Sequence, residues 1–164
     1  IEEEGELIFK VKSISHPDER ELLESFKSMI DRKRTNRKLV AHNGLEFDYP
    51  YIGRRMLING MELPKSLNFM GMRPWEIKHL DTLYMWKFGE YKHYTSLELL
   101  ATLFGIESSK HDLDGSKVNA AYHLEERIDD IAHYCLQDVI VTARLFLKLK
   151  SLPDLPDSAI VYVD

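Results

Sequence analysis

The order in which two hydrophobic periods alternate along this chain limits its fold more than any other feature. Glu6 to Ile14 repeats with period two on either side of Phe9 and predicts a strand. Ser15-His16-Pro17-Asp18 breaks it, and from Glu21 to Arg34 the residues Leu22, Leu23, Phe26, Met29 and Ile30 fall on one helix face. The basic run Arg32 to Lys38 closes that helix, where cations complement the negative end of the dipole. Lys38 to His42 is short and apolar at its centre, which predicts a buried strand entering a loop. A helix follows, with Pro50 as an early helical residue, Asp48 as a possible cap and Asn59-Gly60 as the stop. Pro64 to Pro74 is turn-rich and irregular. Ile77 to Leu80 reads as extended, Asp81-Thr82 leads into a helical stretch to Phe88, and Ser96 to Leu103 reads as an amphipathic helix closed by Gly105. Arg127 to Lys150 is the longest helix, after which Pro153 and Pro156 leave Ile160 to Val163 as a last strand or a tail.

Strand, helix, strand, helices is the order of an α/β layer fold. With no repeat or low-complexity linker, one domain over residues 1–150 is expected, and 151–164 forms a tail or short strand. At 164 residues, 44% hydrophobic and 30% charged, the chain can bury a sizeable core. Two or three strands are nevertheless few for a stable layered sheet. No apolar run approaches the roughly 20 residues that span a bilayer, and the opening Ile1-Glu2-Glu3-Glu4-Gly5 lacks the features of a signal peptide. The single cysteine, Cys135, cannot form an internal disulfide and rules out a cysteine-rich zinc site, so a reducing, cytoplasmic compartment is expected. A net charge of −5 excludes a broadly basic surface for coating duplex. It does not exclude a nuclease, which must concentrate carboxylates to bind cations.

Two segments carry chemistry. In Ala41-His42-Asn43-Gly44-Leu45-Glu46-Phe47-Asp48-Tyr49-Pro50, Asp48 sits where a strand has ended and a helix begins, a place where a carboxylate can meet a metal or its water. The Asn43 amide can bond a sugar or phosphate, and Gly44 allows a tight turn and close backbone approach. The bland reading is a capping aspartate behind an Asn-Gly turn. In Tyr134-Cys135-Leu136-Gln137-Asp138, positions four apart on a helix lie within about 40° of each other, so Tyr134 and Asp138 share a face. A half-buried core tyrosine beside a solvent-facing charge is the alternative.

Together the two segments resemble the second and third motifs of the DEDD 3'-5' exonucleases. The form is that of the proofreading domain of family B DNA polymerases and of stand-alone bacterial relatives. The intervening strings agree: His79-Leu80-Asp81-Thr82-Leu83, Lys87-Phe88-Gly89, Tyr94-Thr95-Ser96-Leu97, Leu103-Phe104-Gly105 and Lys110 to Ser116. The resemblance implies a ribonuclease-H-like fold, a mixed sheet flanked by helices. It also implies hydrolysis of nucleotides from a nucleic-acid 3' end with two Mg²⁺ or Mn²⁺ ions about 4 Å apart. Asp138 and Asp48 would be catalytic metal ligands and Tyr134 would orient the attacking water. In the superfamily that last role falls to a tyrosine four residues, or a histidine five residues, before the final aspartate, and His133 is present as the alternative. A residue five back is turned about 140° away if the helix is already formed, and the string around Asp48 is of the tyrosine type, so Tyr134 is expected. Asn43 and Phe47 would contact the terminal nucleotides. Arg54, Arg55, Lys87 and Lys92 are candidate phosphate contacts, and Asp81 is expected to be a structural cap rather than a ligand. The expected partner is a single strand with a free 3' end, DNA ahead of RNA, with no membrane and no protein partner specified.

The family's first motif, an Asp-x-Glu on an opening strand, occurs nowhere in the sequence. Glu2-Glu3-Glu4 is no substitute, since it reads as an acidic turn before an edge-like strand. The first strands are therefore expected to lie ahead of Ile1, and the 164 residues alone are expected to be inactive. A non-catalytic nucleic-acid- or protein-binding module of the same fold is the competing reading.

Overall fold

Helices carry the chain between the paired strands β3 (Phe9–Val11) and β6 (Ile160–Tyr162) and between β4 (Val40–Ala41) and β5 (Leu80–Asp81), which is why these pairings can be parallel. The computed structural model describes residues 2–3, 6–31, 38–90, 93–107 and 117–163. Within it the chain forms two compact units, Ile14–His93 and the pairing of Ile1–Ser13 with Tyr94–Asp164. Most of the basic run at Arg32 to Lys38, Lys92 and the string Lys110 to Ser116 lie outside the described residues.

The chain opens on β1 (Glu2–Glu3), paired antiparallel with β2 (Glu6–Leu7), where the sequence suggested an acidic turn. β3 (Phe9–Val11) follows. The predicted period-two strand thus divides in two and stops at Val11, because ladder partners exist only for those residues.

In Ile14–His93, α1 (Glu19–Asp31) starts one turn ahead of the apolar stripe because Asp18 caps it. The Asp18 carboxylate accepts the N–H groups of Arg20 at 2.8 Å and Glu21 at 3.1 Å. β4 (Val40–Ala41), α2 (Asp48–Ile58) and β5 (Leu80–Asp81) make a strand–helix–strand crossover. β4 and β5 are parallel, with Val40 opposite Leu80 and Ala41 opposite Asp81. α3 (Thr82–Lys87) leaves β5 directly. The core gathers Leu23, Tyr49, Met56, Met61 and Leu67, with Phe26, Ile30, Leu39, Ile52 and Phe69 packed around it. α1 is joined to α2 by Arg55, whose Nε donates to Glu19 at 2.6 Å and whose other fork arm reaches the second Glu19 oxygen.

The second unit continues with α4 (Leu97–Leu103), capped by the Ser96 hydroxyl accepting the Leu99 N–H at 3.2 Å, α5 (Val118–His123) and α6 (Ile128–Leu149). β6 (Ile160–Tyr162) pairs parallel with β3, Phe9 opposite Ile160. Ile140, Val141 and Leu145 of α6 are buried, as are Leu100, Ala121, Leu155 and Val11. The segment that turns the chain from α6 into β6 is pinned to the helix. Arg144 bonds Asp157 and the Leu155 carbonyl, and Lys148 bonds Asp154 at 2.7 Å. Among the described residues no helix is long and apolar enough to cross a membrane.

Candidate functional site

The His42–Phe47 loop is shaped by a buried carboxylate from the neighbouring strand. Asp81, 5% exposed, accepts the backbone N–H groups of Asn43 and Leu45, each at 3.0 Å, through its two oxygens. The same carboxylate caps α3, accepting the N–H of Leu83 at 3.0 Å and of Tyr84 at 3.3 Å. Four orphan donors are satisfied by one side chain, which is the structural role the sequence suggests for Asp81. A second tie joins the same elements: Nδ1 of His42 lies 2.9 Å from the Thr82 hydroxyl, which donates to the Ala41 carbonyl at 3.3 Å. That hydroxyl has one proton, so His42 supplies the other from Nδ1. The left-handed residue of the loop is Asn43, φ 63°, not Gly44. Gly44 is required for a different reason, since a Cβ there would come within 2.4 Å of the Ala41 Cβ and 3.2 Å of the Tyr49 ring.

Held this way, the loop delivers Asp48 to the first position of α2. Asp48 is not the capping residue the sequence allowed: the N-cap is Phe47, and no side chain caps the helix. Burial pushes the Asp48 carboxyl up, its own backbone N–H opposes this, the Asp81 charge adds to the rise, and His42 acts against it. A half-buried carboxylate destabilised by desolvation and by a second carboxylate gains from a nearby cation. Burial, followed by the charges of Asp81 and Asp48, also pushes the Tyr49 hydroxyl up, so that phenol stays protonated. Phe47 is 65% exposed and stacks on Tyr51, itself exposed, with centroids 6.2 Å apart and planes 13° from parallel. Tyr51 was missed in the sequence, although its place four residues beyond Phe47 on a helix was the available signal.

The candidate cations separate. Arg54 is exposed on α2. The Arg55 fork, offered by the sequence as a phosphate contact, is taken up by Glu19, and Asn59 adds a bond to the same carboxylate at 3.1 Å. This pairing holds Glu19 at about 2, well below an ordinary glutamate. Lys87 lies 4.0 Å from the Glu46 carboxylate.

In the other unit, α6 carries Tyr134 and Asp138 half-buried and His133 exposed. The helix runs from Ile128, so the angular separation expected for a residue five back applies here. Partial desolvation, and then the Asp138 charge, push the Cys135 thiol up, which argues against a nucleophilic thiolate. Two residues on, Gln137 donates to the Tyr162 hydroxyl at 3.3 Å, tying α6 to β6.

A family model described as a predicted 3'-5' exonuclease related to the exonuclease domain of PolB matches residues 1–158 of the 164. The chain belongs to this family. Comparison with curated proteins and with solved structures gives no match. For a PolB-related exonuclease domain the substrate class is nucleic acid, and the mixed α/β architecture with its small parallel sheets is compatible with such a fold.

Exonucleases of this kind typically use divalent metals. Among the described residues no group of three His, Cys, Asp or Glu side chains stands ready to hold an ion. Asp48 offers oxygen donors of the type a hard dication takes, and in the other unit Asp138 offers the same.

Proposed function

We propose that this chain is the metal-dependent 3'-5' exonuclease domain of its protein, acting on the 3' end of a single strand, DNA ahead of RNA. The observation that carries the reading is the state of Asp48: a half-buried carboxylate, pushed up by burial and not used to cap its own helix, immediately after an exposed aromatic. Its neighbour Asp81 spends its oxygens on backbone N–H groups. An aspartate whose desolvation cost is only partly offset, here by its own backbone N–H, has the character of a ligand-binding group.

Asp48 and Asp138 would hold Mg²⁺ or Mn²⁺, which when bound supplies an activated water and charge compensation at the leaving 3'-oxygen. Tyr134 orients the attacking water, with His133 the alternative. Asn43 and Phe47 receive the terminal nucleotides, the ring of Phe47 offering a face to a base. Arg54 is the cation of α2 best disposed toward a phosphate, since Arg55 is engaged by Glu19. The fold is proposed to be ribonuclease-H-like, the parallel pairs β3–β6 and β4–β5 each being of the kind such a fold contains.

The competing reading, a binding module without catalysis, draws on the absence of an Asp-x-Glu from the sequence. Incubation of a 3'-labelled single strand with the 164 residues in Mg²⁺ or Mn²⁺ separates the two. Negligible cleavage by this chain, and cleavage once a strand bearing Asp-x-Glu is joined ahead of Ile1, is the expected result. EDTA-sensitive degradation by the chain itself would show that the metal ligands lie elsewhere, and inactivity of the extended chain would favour the module.

A further inference from the structure

The stretch from Met61 to His79 carries chemistry that the reading above leaves unused. Its inner end is fixed in the core. Phe69 meets Tyr49 and His79 edge-on, with centroids 6.2 and 5.5 Å apart. His79 accepts the Leu39 N–H at Nδ1, 3.1 Å, so its Nε2 carries the proton donated to the Ser66 carbonyl at 2.6 Å. The Met72 N–H returns to the Phe69 carbonyl at 3.0 Å.

The outer end is a 3₁₀ turn, Pro74–Glu76, closed twice. The Glu76 N–H bonds the Arg73 carbonyl at 2.9 Å, and the Glu76 carboxylate accepts the Arg73 N–H at 2.6 Å. Pro74 fixes its own φ, so the turn loses little further entropy on binding. What this stiff turn displays is an indole. Trp75 is 75% exposed, and the Arg73 guanidinium stands 5.5 Å from its ring centroid.

An indole left in water forgoes the stabilisation its burial would bring. The chemistry beside it selects the occupant. Lys65, Arg73 and Lys78 fall in this stretch against Glu62 and Glu76, and Glu76 is engaged by the turn itself, in a chain whose net charge is −5. A flat π-face paired with a guanidinium, in a locally cationic segment, suits a base stacked beside its phosphate. Resting on the exonuclease reading, we infer that the Arg73–Trp75 turn is a stacking station for a base of single-stranded nucleic acid, distinct from Asn43 and Phe47. Through Phe69 and Tyr49 it is braced on the residue that follows Asp48.

The test is titration of the chain with oligothymidylate at low salt in the presence of EDTA, followed by tryptophan fluorescence and by anisotropy of a labelled strand. Trp75 should be quenched, and Trp75→Ala should weaken binding by about tenfold while Trp75→Phe retains most of it. Arg73→Gln should make the salt dependence of binding shallower, by the contribution of roughly one phosphate contact. The melting temperature, read alongside, should be unchanged in all three because the side chain displayed is exposed. Undiminished oligonucleotide affinity in Trp75→Ala would overturn the station and leave the exonuclease reading standing. No binding of any single strand by the parent chain would overturn both. A concentration-dependent dimer abolished by Trp75→Ala, with strand affinity unaffected, would assign the turn to self-association instead.

Discussion

The His42–Asp48 loop and the Tyr134–Asp138 stretch of α6 reach a similar end by different physical routes. In the helix, two side chains share a face because 3.6 residues make a turn, and a buried stripe of Ile140, Val141 and Leu145 sets how the helix is rotated. The loop has no such period. Its course is dictated by Asp81 and Thr82, which bond it across roughly 40 residues of chain, and by the close packing of Gly44 on Ala41. A carboxylate on a helix is placed by local geometry, whereas one at the end of a loop is placed by a distant partner. The loop is therefore the part whose function fails when a residue remote from the chemistry is changed.

The comparison breaks most readily at Asp81. Asp81→Ala removes the acceptor for four backbone N–H groups, and at about 1–3 kcal/mol per buried unsatisfied donor, incompletely additive, a loss of roughly 3–5 kcal/mol is expected in urea unfolding. Asp138→Ala should change stability by less than about 1 kcal/mol while abolishing cleavage in a chain that carries the Asp-x-Glu strand. Equal destabilisation by the two substitutions would mean that Asp138 is also structural. Next in size is Gly44→Ala, whose added methyl meets Ala41 and should cost about 1–3 kcal/mol without altering the charge of the loop.

A smaller effect distinguishes the two candidates on α6. In the extended chain, Tyr134→Phe should slow cleavage about tenfold with substrate binding retained, and His133→Ala should leave the rate nearly unchanged. The reverse pattern would transfer the water-orienting role to His133. Smallest is an acid effect confined to the α1–α2 junction. Glu19 is held at about 2, against 4.5 when unpaired, by hydrogen bonds from Arg55 and Asn59. Because the folded value is the lower one, the stabilisation is complete above about pH 4.5 and disappears as the pH falls through about 2. Glu19→Gln should flatten the pH dependence of stability in that window. An unaltered profile would show that the pairing is relaxed by solvent.

The sequence made the helices legible because each buries one stripe and carries its own punctuation. Asp81 caps α3 as expected, α4 begins one residue after Ser96, which caps it, and α6 spans Ile128–Leu149 within the predicted range. It also singled out Asp48, Tyr134 and Asp138, since a string of unusual residues at fixed spacing is visible without coordinates. Strand length was less accessible. Glu6 to Ile14 alternates along its length, yet pairing ends at Val11, because a ladder needs a second chain segment and that partner is Ile160–Tyr162 at the far end of the sequence.

By itself, then, the sequence determined what depends on near neighbours: helical periods, caps, turn residues, and the family to which the two aspartate motifs point. Only the tertiary structure decided what each polar side chain spends its hydrogen bonds on. Arg55 is engaged by Glu19, Asp81 by four backbone N–H groups, and Arg73 lies over Trp75, while the left-handed turn falls on Asn43 and the close contact on Gly44. The Arg55–Glu19 pair and the bonds from Asp81 to Asn43 and Leu45 join residues 36 to 38 positions apart in the chain. A hydrogen-bonding group has a few directed sites and many possible partners, so which partner it takes is settled only when packing fixes the distances between them.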